Sequence, residues 1–168
     1  AVPVLLEQSL DLARSDHWMI YLGTMGLSFL CMLPFIIVGE KRRKMKPVFI
    51  GAVTLLALAE IVLAANTSHR YGFIVGLFLF FMAFNLLEAS LPSLVSKLAP
   101  AGGRGTAMGI YSTSQFMGAF FGGLAGGYVA WRFGYAEVFW MVAVSILVWL
   151  VAAVIMKKPA HLKSLVVN

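Results

Sequence analysis

Five long apolar segments, separated by short charged or turn-forming stretches, set the limits on what this chain becomes. They run over 18–39, 47–66, 71–96, 105–131 and 135–156, and each reaches the roughly 20 mainly apolar residues that a helix needs to cross a bilayer. In hydrocarbon no water satisfies unpaired backbone groups, so each segment is expected to be a helix. The expectation is an all-α membrane protein, a bundle of five complete transmembrane helices over 18–156 with short loops. Composition agrees: hydrophobic residues make up 61% of the chain and charged residues 12%, with a mean hydropathy of +0.90, outside the balance of a soluble domain.

Basic residues concentrate in cytoplasmic loops close to span ends, which orients the bundle. Lys41, Arg42, Arg43, Lys44 and Lys46 lie between the first and second spans, Lys97 and Arg104 between the third and fourth, and Lys157, Lys158 and Lys163 after the fifth. The opposite side holds Arg14, Arg70 and Arg132 together with the acids Glu7, Asp11, Asp16 and Glu137. The C-terminus is therefore expected in the cytoplasm and residue 1 outside, in a multi-pass protein of the cell inner (plasma) membrane. A net charge of +6 raises nucleic acid as a partner, but the basic residues sit at span ends and form no aromatic-studded groove. The lipid bilayer is the expected partner, and no nucleic acid.

The chain opens Ala1-Val2-Pro3-Val4-Leu5-Leu6 with no initiator Met, and an odd number of spans with an outside start is awkward for a whole protein. Residues 1–17 are expected to be the end of a truncated helix plus an outer loop, and 157–168 a cytoplasmic tail. The single cysteine, Cys31, lies within the first span and supports no disulfide framework. His17, His69 and His161 stand apart in loops, without metal-ligand spacing. No nucleophile-base pair or phosphate-cradling loop is present, so neither catalytic residues nor a cofactor are expected.

Polar residues inside the spans carry the functional reading. In the first span Tyr21, Thr24, Ser28 and Cys31 recur at spacings of three and four and so share a stripe. That stripe either lines an aqueous cavity, which makes Thr24 and Ser28 pathway candidates, or bonds its hydroxyls to nearby backbone carbonyls in a packed bundle. Glu60 in the second span sits about 9 Å from the outer boundary at ~1.5 Å rise per residue and reads as a structural or interfacial acid. The third span holds Asn85 and Glu88 on one face, with Pro92 one turn later freeing a backbone carbonyl near Glu88. A carboxyl in mid-span persists only where it meets protein or a water-filled cavity. Glu88 is thus a candidate ion or substrate contact, or else a neutral acid bonded to a neighbouring helix. The fourth span follows the turn-forming run Pro100-Ala101-Gly102-Gly103. Tyr111 and Gln115 share a face there, ahead of Gly118, Gly122 and Gly126, whose spacing of four flattens a helix for close packing in lipid. Glu88 and Gln115 both fall a few residues to the cytoplasmic side of their span centres, which allows them to meet.

The run from Phe84 to Lys97, FNLLEASLPSLVSK, continued by Gly105 to Phe116, GTAMGIYSTSQF, resembles the C-terminal half of a major facilitator superfamily transporter, of the YajR-type branch of drug/proton antiporters. The resemblance covers essentially the whole chain. It implies a twelve-helix transporter of which these are helices eight to twelve, with the N-terminal half as the missing partner and a small soluble domain beginning in the tail. It also implies that Gly39-Glu40-Lys41-Arg42-Arg43-Lys44 is a degenerate copy of the family's cytoplasmic loop latch, in which Glu40, Arg42 and Arg43 clamp neighbouring helices. Glu40 stands where an Asp is typical and the closing glycine is missing. Helices eight, ten and eleven of the family face the central cavity, which favours Glu88, Asn85, Tyr111 and Gln115 over Glu60. The implied activity is secondary active export of a small amphipathic substrate coupled to proton entry, with protons as the coupling ion and no other cofactor. The alternative is a channel-like or scaffolding membrane protein that assembles from five-helix protomers.

Overall fold

The computed structural model describes residues 1–8, 13–41, 45–100 and 102–155. Within them the chain is a helical bundle: α1 (Val2–Gln8), a 3-10 turn at Arg14–Asp16, α2 (His17–Lys41), α3 (Met45–Ala65), α4 (Arg70–Leu98), α5 (Arg104–Phe133) and α6 (Tyr135–Ile155). The cytoplasmic latch falls outside this description for Arg42, Arg43 and the side chain of Glu40, as does the tail 157–168.

Four helices are both long and apolar enough to cross a membrane, over Arg14–Gly39, Lys46–Ala65, Arg70–Leu98 and Tyr135–Ile155. The helix α5 has the length, at 30 residues, but its glycines, hydroxyls and Gln115 dilute its apolar character. Uniform apolarity is a requirement of helices bathed in lipid on all sides, not of one that borders a polar passage.

The helix α3 is the hub, packed along α4 and α6, while α2 packs chiefly on α4. An inner apolar cluster joins Met32 of α2 with Phe49, Ala52, Val53, Leu56 and Ala57 of α3, Ala83, Leu86 and Leu87 of α4, and Ile146 and Ala153 of α6. An outer cluster joins Leu5 and Leu6 with Leu63, Ala64, Phe73, Leu77 and Phe139. Edge-to-face ring pairs mark both ends of this core, Phe49 with Trp149 and Phe73 with Phe139. On the inner side the Lys46 ammonium donates to the Val154 carbonyl at 3.2 Å, tying the start of α3 to the end of α6.

Helix α4 packs tightly at Gly76 against Leu63 of α3, and at Gly72 against Asn66 in the turn that follows α3. A methyl added at Gly76 would lie 2.8 Å from Leu63 Cδ2 and 3.2 Å from the Leu63 backbone nitrogen, and one at Gly72 would collide with Asn66. The reversal between α5 and α6 is made by Gly134 alone, at φ 112° and ψ 167°, a region that only glycine occupies without strain. The helix α2 continues through Pro34 and α4 through Pro92.

His17 departs from the sequence expectation of a loop histidine. It opens α2 and is only 8% exposed, at a cavity that it lines with Pro3, Val4, Glu7 and Arg14.

Candidate functional site: a polar pair on the open face of the bundle

The face made by α4 and α5 is where polar side chains meet. Glu88 lies on α4 and Gln115 on α5, and the Gln115 amide donates from Nε2 to both carboxyl oxygens, at 3.1 Å to Oε1 and 3.2 Å to Oε2. Both residues are exposed in this chain. The two helices run antiparallel, and Pro92 one turn beyond Glu88 cannot donate to the Glu88 carbonyl, so that oxygen lacks its helical partner. Tyr111, one turn before Gln115, is within electrostatic reach of Glu88. Carboxylate, amide and phenol thus share one patch that presents both acceptors and donors.

Asn85 stands one turn from Glu88 on α4 and is half-buried. Its Nδ2 is enclosed and has no hydrogen-bond partner among the described residues.

Thr24 and Ser28 belong elsewhere. Thr24 is 8% exposed and Ser28 has no exposure. Thr24 donates to the Ile20 carbonyl at 2.6 Å and approaches that of Tyr21 at 3.3 Å, within its own helix. Ser28 donates across to the Phe78 carbonyl of α4 at 2.9 Å. Of the two sequence readings for this stripe, the geometry is that of hydroxyls bonded to backbone carbonyls inside a packed seam. The spacing gave the face, but not that α4 covers it.

The three α5 glycines meet almost nothing within this chain. A side chain added at Gly118 or Gly122 would meet nothing within 4 Å, and one at Gly126 would reach only Val138 Cγ1 at 3.8 Å. None of the α5 residues is buried. Tight glycine contacts instead occur on α4 at Gly72 and Gly76, which meet Asn66 after α3 and Leu63 on α3, four residues apart in the run Gly-Phe-Ile-Val-Gly, a small-xxx-small signal that sequence reasoning passed over. The α5 glycines instead continue the stripe of Tyr111 and Gln115 along an uncovered face.

Residues 1–166 match the Major Facilitator Superfamily. The chain belongs to that family. Among its relatives are the inner membrane transport protein YajR of Escherichia coli (strain K12), 49% identical over 151 residues that cover 90% of this chain and 33% of the relative. An uncharacterised transporter of Buchnera aphidicola from Baizongia pistaciae is 30% identical over 155 residues, 92% of this chain and 39% of the relative. Another from the Acyrthosiphon pisum subspecies is 35% identical over 107 residues, 64% of this chain and 27% of the relative. The chain therefore spans between about a quarter and two fifths of the length of these curated relatives. Membership makes it a multi-pass helical membrane protein of a transporter superfamily, in keeping with its four apolar membrane-length helices.

Proposed function

We propose that this chain is the cavity-bearing part of a secondary active transporter of the inner membrane, which exports small amphipathic molecules in exchange for protons by alternating access, with its C-terminus in the cytoplasm. The observation that carries the reading is the Glu88–Gln115 pair on the uncovered α4–α5 face. A carboxylate on a membrane helix is retained where it meets water, substrate or a partner, and the gap between two helical halves is where transporters of this architecture place their sites.

In this reading the second half of the transporter covers the α5 stripe of Gly118, Gly122 and Gly126, leaving the patch of Glu88, Gln115 and Tyr111 at the interface. An arriving proton or cationic substrate group takes over a Glu88 oxygen from the Gln115 amide. Asn85 and Tyr111 shape the cavity wall on either side. The greasy rings of Phe84, Phe116 and Phe120, each exposed here, suit the apolar portion of an amphipathic substrate.

The test is Glu88→Gln in the complete transporter, reconstituted in proteoliposomes, with substrate-driven proton flux as the readout. The expected result is loss of flux or a displaced pH dependence. Unchanged flux with an unchanged pH profile removes Glu88 from the mechanism.

A further inference from the structure

A second carboxyl lies inside the bundle, away from the open face. Leu56, Ala57, Glu60, Leu63 and Ala64 recur at spacings of three and four on α3 and form one buried stripe, in which Glu60 is only 4% exposed. Leu56 and Ala57 belong to the inner apolar cluster, Leu63 and Ala64 to the outer one, and Phe80 of α4 packs against both. Glu60 thus stands where the two halves of the core join, and its Oε2 is enclosed with no hydrogen-bond partner among the described residues.

No counter-charge faces it among the described residues. On α4 the tight approach of Gly76 to Leu63 places Glu60 level with about residue 79, so Arg70 and Glu88 are each roughly 13 Å away along the axis at 1.5 Å per residue, and Lys97 is farther. On α6, Glu137 precedes the buried Phe139 by two residues and so points to the other side, where it lines a groove with Val129, Phe133 and Trp140; Tyr135, at the start of that helix, is exposed. On α2 the titratable groups among the described side chains are His17, which opens the helix beside Glu7 and Arg14, Tyr21, whose ring stands edge-on to Phe81, and Cys31. The cation on α3 itself is Lys46, at the inner end and bonded to Val154. Arg14 forms an ion pair with Glu7 at 2.7 Å.

An ionised carboxylate enclosed in this way carries a desolvation cost of several kcal/mol with nothing to offset it, whereas a neutral acid carries far less. We propose that Glu60 is a proton-binding site: a carboxylic acid that keeps its proton while α3, α4 and α6 are packed, and releases it to water when their junction opens. In the release the Glu60 O–H bond breaks, its electron pair stays on the carboxylate, and a water molecule takes the proton as hydronium. The bound state stands on the packing alone. Its part in coupling rests on the transport reading above.

Infrared spectroscopy of the complete transporter in lipid separates these claims. At neutral pH the wild type is expected to show the carbonyl stretch of a protonated carboxylic acid, which Glu60→Gln loses and Glu88→Gln retains. The same band in wild type and Glu60→Gln alike overturns the site, as does its absence from the wild type. Should Glu60→Gln fail to fold, the wild-type band is titrated: persistence through neutral pH supports the site, and disappearance in the range of an exposed carboxyl overturns it. For coupling, Glu60→Gln in proteoliposomes is expected to keep substrate exchange but to lose accumulation driven by a proton gradient; accumulation equal to wild type overturns the coupling role. A wild type without any substrate exchange removes the transport reading while leaving the band to decide the proton site.

Discussion

Ser28 donates to the Phe78 carbonyl from a position with no solvent exposure, and that bond ties α2 to α4. Interhelical bonds of this kind in membranes contribute about 0.6 kcal/mol on average and up to about 1.7. Ser28→Ala is therefore expected to lower stability by an amount in that range, measured by reversible unfolding in mixed micelles, and to leave transport unchanged. Gln115→Leu is the opposite case: the residue is exposed, so stability is expected to hold, while loss of the amide that donates to both Glu88 oxygens shifts the pH profile of proton flux. The contrast marks what spacing conveys. Periodicity placed Thr24 with Ser28, and Glu88 with Asn85, on common faces, and the depth of Glu88 and Gln115 in their spans allowed their meeting. Which face meets a neighbour depends on the packing of whole helices, and one sequence does not carry that at residue scale.

Between elements, glycine marks the sites of close approach only where a second helix arrives. Gly76 admits the backbone of Leu63, and a methyl there would need the Leu63 side chain and main chain to shift. Gly76→Leu is expected to separate α3 from α4 and lower the melting temperature of the purified protein. Gly122→Leu, facing open space within this chain, is expected to preserve the packing of α3, α4 and α6 but to impair transport through the face it occupies. Gly134→Ala forces a side chain into a backbone region that only glycine occupies freely, at a cost of about 1–3 kcal/mol, which a thermal melt reads directly. Gly72 and Gly76 form a ladder of two inside an otherwise bulky helix and meet Asn66 and Leu63, whereas the α5 ladder of three faces open space within this chain.

For the molecule as a whole, the apolar segments made the helical bundle legible before any coordinate was known, since lipid leaves a spanning chain few alternatives to a helix. The hub position of α3 was not legible. Its sequence is as apolar as that of its neighbours, and only the assembled packing shows that both clusters run through it. The proposed orientation rests on the basic residues at the ends of the spans. A reporter fused after α6 is expected to be active in its cytoplasmic form, and activity in the periplasmic form reverses the assignment. A single cysteine at Gln115 is expected to react with a water-soluble reagent in the resting transporter at a rate that substrate alters, whereas a cysteine at Ser28 stays protected.

Gly134 leaves α5 and α6 joined by a single peptide unit on each side, about 3.8 Å between successive Cα atoms. That tether has no slack. A sideways displacement of the end of α5 is therefore passed to the start of α6, the helix packed against the hub.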